Sequence, residues 1–331
     1  MMPQPSGFVP RPDGAAPLMP SAAEAGPAPS PAAAPGSDRQ GLAILLMCLT
    51  SFLFAMQDGV SRYLGEHYSP FFIVMIRYWV FALFVAAVAA RAPGGLRAAT
   101  RSRRPILQVV RGLLLVAEVV AMIYAYVLLG LVETHAIFTA TPLMVVALSG
   151  PVLGERVGWR RWLAVMAGFA GILVILQPGL RVFSPWSVLP LLAALMFAVY
   201  GLLTRLVARD DSSTVSFFWT GMAGAAGITV VGLWHIEPMA PADWPWMAAL
   251  CVLAMLSHWL LIRAYELAEA SSLQPFAYTQ LVWISLIGFA VFGERVGLNV
   301  ILGGAIVVAA GLFTWWRSLR RSRLAAHSPR R

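Results

Sequence analysis

Ten apolar runs, most of them about twenty residues long, dominate the sequence and restrict the folds open to it. An α-helix rises about 1.5 Å per residue, so about 20 apolar residues cross a hydrocarbon layer about 30 Å thick. The runs lie near residues 41–64, 70–90, 106–129, 131–153, 160–177, 185–208, 213–234, 245–266, 271–292 and 298–316. Backbone polar groups in lipid must be satisfied within their own segment. The predicted fold class is therefore an all-α polytopic membrane protein with ten transmembrane helices.

The composition excludes a water-soluble domain of this size. Of 331 residues, 59% are hydrophobic and 12% are charged, and the mean hydropathy is +0.75. Soluble domains carry roughly 25% charged residues. The net charge of +9 is spread over short arginine clusters between apolar runs, a pattern of membrane topology and not of nucleic-acid binding.

The arginine clusters also predict the orientation. They lie in residues 91–104, 156–161, 205–209 and 317–331, and ten spans would bring all four segments to one side. Because cytoplasmic loops are enriched in basic residues, both termini are predicted to be cytoplasmic. The chain contains arginine but no lysine, which is typical of a GC-rich bacterial genome, so the predicted location is a cell inner membrane.

The two ends of the chain are predicted to be tails. Residues 1–40 are rich in Pro, Ala and Gly and lack the short apolar core of a signal peptide, so we expect a disordered cytoplasmic tail. Residues 317–331 are predicted to form a basic cytoplasmic tail.

A pentapeptide, Gly-Glu-Arg-Val-Gly, occurs at residues 154–158 and again at 293–297, an offset of 139. The same offset aligns Ala125 and Tyr126 with Ala264 and Tyr265, and both pentapeptides follow the fourth span of a five-helix half. Residues 41–180 and 181–316 are therefore predicted to be two copies of one module. Since each copy has an odd number of helices, the second must enter the membrane from the opposite side. Inverted repeats of this kind are typical of secondary transporters.

Several features resemble the drug/metabolite transporter superfamily, in its ten-helix form with two EamA-type domains. They are the duplicated pentapeptide, the small-residue helix after each copy, and the segment from Pro70 to Tyr78. The resemblance covers roughly residues 41–316 and implies gradient-linked movement of a small organic solute. Relatives often carry a lysine where this chain has Arg62.

Asp58 and Arg77 are the first candidate residues for the substrate or proton pathway. An ionisable group inside a span is unfavourable by several kcal/mol unless it is paired or faces water. By the rise of a helix, Asp58 in the first span and Arg77 in the second lie at matching depths. They are predicted to form an ion pair, which would be either a structural clamp between helices or part of a binding or gating site.

Glu118 and His258 are the candidates for the centre of the molecule. Each lies about halfway along its span, and the offset of 139 aligns Glu118 with Ser257, next to His258. Two titratable groups on symmetry-related helices suit a cavity with a protonation step. Alternatively, each group is neutral and hydrogen-bonded to a neighbouring helix. His135 and Gln274, which the same offset also aligns, are secondary candidates.

Aromatic and amide side chains complete the predicted pathway. Tyr126, Tyr265, Trp259 and Gln280 would stack on and hydrogen-bond an amphipathic solute. The alternative is that the aromatic residues pack between helices or anchor the chain at the membrane surface.

The sequence has no Walker A loop, no His-Glu-x-x-His, no Gly-x-Ser-x-Gly and no dinucleotide fingerprint. We therefore expect no enzymatic activity and no cofactor or metal. The predicted partners are a small-molecule substrate and membrane lipid, with no nucleic acid. Small residues at helical spacing pack helices within the chain or, alternatively, form a homodimer.

The predicted function is a secondary transporter that moves a small organic metabolite by alternating access. An amino acid or a related cationic or zwitterionic compound, such as one like S-adenosylmethionine, is favoured because Glu118 and Asp58 would receive positive charge. Two alternatives remain open: an exporter of metabolites or drugs with the same fold, and a membrane-embedded enzyme or lipid-handling protein. Neither the solute, the direction nor the coupling ion is fixed by the sequence.

Overall fold

A computed structural model of the chain describes residues 37–92, 94–154, 158–176, 184–267, 273 and 276–326. All regular secondary structure among these residues is helical. Most of the predicted N-terminal tail lies outside the described residues, and so do residues 155–157 of the first pentapeptide and Gln274.

The helices follow the predicted apolar runs closely. Two short 3-10 helices lie at Pro185–Ser187 and Leu233–His235. The α-helices are α1 (Ser37–His67), α2 (Pro70–Arg91), α3 (Gly95–Thr100), α4 (Pro105–Leu129), α5 (Leu131–Phe138), α6 (Thr141–Leu153), α7 (Trp159–Leu176), α8 (Val188–Val207), α9 (Ser213–Gly232), α10 (Trp244–Leu267), α11 (Thr279–Phe292) and α12 (Leu298–Ala326).

Proline and glycine fix several helix boundaries. Pro70 and Pro105 begin α2 and α4, where the missing backbone donor of proline leaves no hydrogen bond unmade. The first glycines of the two pentapeptides, Gly154 and Gly293, end α6 and α11 with φ of 72° and 65°. This left-handed conformation is strained for any residue with a Cβ. The two copies of the pentapeptide therefore begin at the same structural position, a helix C-terminus.

Seven helical segments of the described chain are long and apolar enough to cross a membrane. They are Gly41–His67, Pro70–Arg91, Pro105–Leu129, Leu131–Leu153, Pro185–Val207, Thr214–His235 and Trp244–Leu261. The other three predicted runs form shorter apolar helices, at Trp162–Leu176, Thr279–Phe292 and Leu298–Phe313.

The helices of the two halves pack against each other extensively. α1 packs against α10 and α11, while α8 packs against α4 and α6. Two further pairs, α2 with α9 and α7 with α12, also join the halves. The interior between α1, α2, α4, α5, α8, α9, α10 and α11 contains a cavity.

Close backbone approach occurs where α7 meets α12. A Cβ atom on Gly171 would lie 2.8 Å from the Gly303 carbonyl oxygen, so glycine is required at this crossing. On α12, Val307 and Ala310 are buried against α7, whereas Ala305 and Ala309 are exposed.

Candidate functional site

The cavity has a volume of about 380 Å³ and is lined mainly by aromatic and aliphatic side chains. Its phenylalanines are Phe54, Phe81, Phe138, Phe197 and Phe217. Its charged and hydrogen-bonding groups include Asp58, Arg77, Glu118, Tyr126, His135, His258 and Gln280. An apolar chamber with a few converging polar groups is the usual form of a small-molecule site. The structure thus brings six of the eight residues predicted for the pathway to one cavity.

Asp58 lies on α1 and is 8% exposed. Its Oδ2 atom lies 3.1 Å from His135 Nε2 and accepts a hydrogen bond of 3.1 Å from Gln280 Nε2. The predicted ion pair between Asp58 and Arg77 is not formed. Both residues line the cavity, but the Asp58 carboxylate faces α5 and α11, whereas Arg77 comes from α2.

Tyr126 and His135 stand beside Asp58. Tyr126 Oη lies 3.1 Å from His135 Nε2, and the two rings stack with centroids 5.5 Å apart. They are 3% and 6% exposed, respectively. The sequence pointed to His135 only through its alignment with Gln274, and depth along one span could not reveal that α5 places it against Asp58.

Glu118 is 6% exposed and lies on the cavity wall near the middle of α4. Within the described part of the chain it makes no hydrogen bond and no ion pair. Arg77 is half-buried on the same wall and, among the described residues, likewise has no hydrogen-bonded or ionic partner. The Glu118 carboxyl group and the Arg77 guanidinium group therefore interact in the cavity through space, and neither makes a hydrogen bond or a salt bridge to another described residue.

His258 lies on α10 and lines the cavity beside α1. Its Nδ1 atom is 2.8 Å from the Ala254 carbonyl oxygen in the same helix, and its ring contacts Phe54 edge to face at 5.2 Å. Trp259, the next residue, is 49% exposed and does not line the cavity, because neighbouring residues point in different directions around a helix. The prediction for Trp259 is wrong. The side chain of Tyr265 lies outside the described residues.

A hydrogen-bonded network joins the two halves near Asp243, which lies between α9 and α10. Tyr63 and Tyr68 donate to the two oxygens of Asp243, at 2.9 and 2.7 Å. The Ser69 amide donates to Glu237 at 2.5 Å. The hydrogen bonds from Tyr68 and Tyr63 hold the pKa of Asp243 below its ordinary value. We refer to this end of the helix bundle as the Asp243 end.

A second network lies near Asp211, between α8 and α9. The Asp211 carboxylate accepts hydrogen bonds from Ser102 Oγ, from the Arg103 amide at 2.8 Å and from Gln108 Nε2 at 2.9 Å. Burial raises the pKa of Asp211, but the hydrogen bonds from Ser102, Arg103 and Gln108 outweigh burial and bring the pKa below its ordinary value. We refer to this end as the Asp211 end.

Arg111, a buried cation that the sequence analysis missed, extends the network of the Asp211 end towards the cavity. It is 2% exposed and donates to Gln108 Oε1 at 2.7 Å and to the Ser216 carbonyl oxygen. It also reaches Tyr200 Oη at 3.3 Å, and Tyr200 lines the cavity. Arg111 lies in the second turn of α4, inside the apolar run 106–129. The signal that identified Glu118, an ionisable group inside a span, therefore applied to Arg111 as well.

The second pentapeptide has a contact that the sequence did not predict. Glu294 accepts hydrogen bonds from Arg62 and from the backbone amides of Leu131, at 2.8 Å, and Val132, at 3.0 Å. The Arg62 guanidinium also lies 4.0 Å from the centre of the Phe292 ring. Glu294 therefore accepts hydrogen bonds from the free backbone amides at the N-terminus of α5 and connects α1 to the end of α11. Its partners lie outside its own loop.

Comparison with known proteins follows the same division of the chain. A model of the EamA-like transporter family matches residues 41–177 and, a second time, residues 184–316. A crystal structure with a TM-score of 0.56 and 16% identity covers 86% of this chain and 98% of its own. That likeness is one of fold alone.

Three relatives give the range of activities among similar proteins. The S-adenosylmethionine uptake transporter of Rickettsia prowazekii is 24% identical over 273 residues, which cover 81% of this chain and 90% of the relative. The riboflavin transporter of Vibrio cholerae is 31% identical over 191 residues, 57% of this chain and 64% of the relative. The pseudopaline exporter of Pseudomonas aeruginosa is 24% identical over 269 residues, 81% of this chain and 93% of the relative.

Proposed function

Because this chain belongs to the EamA-like transporter family of the drug/metabolite transporter superfamily, we propose that it is a secondary transporter for a small organic solute that bears positive charge. The solute is an amino acid or a related zwitterionic compound, carried across the bacterial inner membrane by alternating access. The chain is a multi-pass membrane protein with helices that suit this role.

The proposed architecture has ten spans, of which three are short. α11 has 14 residues and reaches about 21 Å, which is less than the hydrocarbon thickness of about 30 Å. A short span is accommodated by local thinning of the bilayer. The double match of the family model and the equal position of the two pentapeptides support five spans in each half.

The direction of the helices supports an inverted relation between the halves. α1 ends beside Tyr68, at the Asp243 end. α8, which occupies the same place in the second half, ends beside Asp211, at the Asp211 end. These ends are separated by the 20 residues of α9, or about 30 Å. Equivalent helices thus finish at opposite ends, as a pseudo-two-fold axis in the membrane plane requires.

Helix packing gives independent support for the duplication. If the two halves are exchanged, α1 corresponds to α8, α4 to α10 and α6 to α11. The contact of α1 with α10 then corresponds to the contact of α8 with α4. In the same way, the contact of α1 with α11 corresponds to that of α8 with α6. The pairs α2 with α9 and α7 with α12 map onto themselves. The cavity lies between these exchanged pairs, the place where transporters built from inverted repeats bind their solute.

The observation that carries the proposal is the unpaired Glu118 carboxyl group on the cavity wall. A buried carboxylate without a partner is destabilising by several kcal/mol, so such a group is retained for a ligand or a proton. A solute ammonium or sulfonium group would pair with Glu118, a solute carboxylate would pair with Arg77, and the phenylalanines would cover the apolar part. His258, Tyr126 and Gln280 complete the proposed pathway with polar contacts.

One of the three relatives is named for a solute with this chemistry, and the direction of transport is left to experiment. S-adenosylmethionine combines a sulfonium and an ammonium group with a carboxylate. The Rickettsia prowazekii relative that is named for its uptake is similar to this chain along 90% of the relative's length. We take uptake as the proposed direction for this reason. The pseudopaline exporter has a similar match, so export is the alternative outcome.

The orientation proposed from the arginine clusters places the Asp211 end in the cytoplasm and the Asp243 end outside. Both networks join the first half to the second. In alternating access, the Asp211 network breaks when the cavity opens inwards, and the Asp243 network breaks when it opens outwards.

The proposal is tested by solute exchange in proteoliposomes. The panel contains labelled S-adenosylmethionine, lysine and riboflavin, and the wild type is compared with Glu118→Gln. We expect the wild type to carry a cationic member and the variant to lose about tenfold or more in rate, since a charged contact is replaced by a neutral one.

Glu133→Gln is the matched control. Glu133 is half-buried on α5 and is not on the cavity wall, so its rate should stay within about twofold. The proposal would be overturned if the wild type carried no member of the panel, or if Glu118→Gln exchanged the solute at the wild-type rate.

A further inference from the structure

A cluster of four hydrogen-bonding side chains forms one wall of the cavity, and each comes from a different helix. Asp58 lies on α1, Tyr126 on α4, His135 on α5 and Gln280 on α11. His135 Nε2 lies 3.1 Å from both Asp58 Oδ2 and Tyr126 Oη, and Gln280 Nε2 donates to the same Asp58 oxygen at 3.1 Å. The cluster joins three helices of the first half to one helix of the second.

An aspartate and a histidine at this distance share protons. With Asp58 ionised and His135 neutral, the Nε2–H group donates to the carboxylate. One added proton gives either an imidazolium beside a carboxylate or an imidazole beside a carboxylic acid, and the charge of the pair changes from −1 to 0. Because Asp58 and His135 are 8% and 6% exposed, water reaches the pair mainly through the cavity.

We infer that the Asp58–His135 pair binds the proton whose movement is coupled to solute transport. The inference rests on the proposed function and names the coupling site within it. The proton adds to a nitrogen or oxygen atom of the pair from the side to which the cavity is open, and leaves to the other side after the cavity has reoriented. Glu118 stays available to the solute.

Connection to the second half distinguishes this pair from the other titratable groups of the cavity. Glu118 has no hydrogen-bonded partner among the described residues, and the Nδ1 atom of His258 contacts only the carbonyl of Ala254 in its own helix. A proton gained by Glu118 or His258 changes no hydrogen bond that the described residues make between the halves; the His258 ring crosses to the first half through its aromatic contact with Phe54. At Asp58, a proton weakens the acceptor of the Gln280 amide, so the contact of α1 with α11 depends on the charge of the pair.

The position of His135 favours a reversible change of this kind. His135 lies in the last turn of α5, whose C-terminal carbonyl groups stabilise positive charge. α5 ends at Phe138, and α6 begins at Thr141, followed by Pro142, which cannot donate a backbone hydrogen bond. Interrupted helices in transporters supply free backbone groups at ion sites.

Other charged and titratable groups face the pair across the cavity. Tyr126 and Glu118 face it from α4, Arg77 and Tyr78 from α2, Tyr200 from α8 and His258 from α10. When both are ionised, Glu118 and Arg77 offset each other. Asp58 then carries the net negative charge of the cavity, which makes its pair with His135 the site that one proton neutralises.

Transport by proteoliposomes tests the inference with labelled S-adenosylmethionine as the probe. The variants are Asp58→Asn and His135→Gln, with Glu133→Gln as control. Exchange is measured without a pH gradient, and net movement is measured with an inside-alkaline and an inside-acid gradient. We expect the gradient to change net movement by the wild type and the control, and to leave net movement by both cluster variants unchanged when it is taken relative to each variant's own exchange rate. Wild-type exchange without any response to the gradient would overturn the inference and leave the proposed function standing. Cluster variants that still respond to the pH gradient would also overturn the inference and leave the proposed function standing.

A second measurement does not depend on turnover. Nitrogen NMR of the full-length protein in lipid nanodiscs, with labelled histidine, reports the hydrogen bonding of the His135 ring nitrogens, assigned by the loss of their signals in His135→Gln. We expect Asp58→Asn to change the His135 nitrogen chemical shifts at a fixed pH, since the carboxylate partner is lost, and Glu133→Gln to leave them in place. Equal nitrogen shifts in the wild type and Asp58→Asn would refute the pair. This result stands even if no panel solute is transported, in which case the proposed function alone fails.

Discussion

Asp211 and Asp243 lie at opposite ends of α9, and each accepts hydrogen bonds from the first half of the chain. Asp211 receives them from Ser102 and Arg103, and Asp243 from Tyr63 and Tyr68. The donor loops lie between α3 and α4 and at the end of α1. The same kind of contact therefore joins the first half of the chain to the second at both ends of the helix bundle.

Loss of either network should favour one opening of the cavity. In Asp211→Asn, weaker hydrogen bonds from Ser102 and Gln108 should raise the accessibility of the cavity from the Asp211 end, and Asp243→Asn should do so from the Asp243 end. The rate of labelling of Cys251, which lines the cavity, measures this when an impermeant thiol reagent is applied to either side. Equal effects of both variants on both sides would contradict the assignment.

Asp243 should give the protein a specific sensitivity to acid. Its pKa is lower in the folded protein than its ordinary value, so the ionised carboxylate stabilises the fold above about pH 4. That stabilisation is lost as the pH falls through the folded-state pKa. Thermal unfolding in detergent between pH 6 and pH 3 should show a steeper loss for the wild type than for Asp243→Asn. Parallel curves would argue against a contribution from Asp243.

Arg77 should select solutes that carry a carboxylate. Arg77→Gln removes the cation, whereas Arg77→Lys retains it with a different geometry. We expect the wild type to prefer S-adenosylmethionine over its decarboxylated form, and Arg77→Gln to lose about tenfold of that preference, with Arg77→Lys in between. The measurement is competition for exchange in proteoliposomes. An unchanged preference in Arg77→Gln would place the solute carboxylate elsewhere.

Glu294 should contribute to stability through its contacts with Arg62 and the start of α5. Glu294→Gln replaces a charged acceptor by a neutral one and should lower the free energy of unfolding by about 2 kcal/mol. Glu66, which is partly exposed and also pairs with Arg62, is the control, and Glu66→Gln should change stability by about 0.5 kcal/mol or less. Thermal or chemical unfolding in detergent compares them, and equal effects would contradict a special role for Glu294.

The pentapeptide glycine should be required for its conformation. Gly293→Ala places a Cβ at a φ of 65° and should destabilise the protein by about 1 kcal/mol. Gly201 lies within α8 with open space around its Cβ position, so Gly201→Ala should be neutral or stabilising. A Gly293→Ala variant as stable as Gly201→Ala would show that residue 293 can leave the left-handed region.

The length of the apolar runs predicted the helices well, because lipid leaves the backbone few alternatives. The sequence also brought Glu118, His258 and Gln280 into consideration, since an ionisable or amide group inside a span is conspicuous. Partners between helices were not predictable. The sequence predicted the same depth for Asp58 and Arg77, but the rotation of α1 about its axis directs Asp58 towards His135. On α10, His258 and Trp259 are neighbours in the sequence and therefore point in different directions around the helix, so only His258 lines the cavity.

Cys251 offers the most direct test of alternating access, because it is a native side chain on the cavity wall. In a Cys48→Ala background it can be labelled with an impermeant thiol reagent in vesicles of either orientation. The account predicts labelling from both sides of the membrane and protection by a transported solute on both. Labelling from one side only, with solute exchange intact, would contradict it.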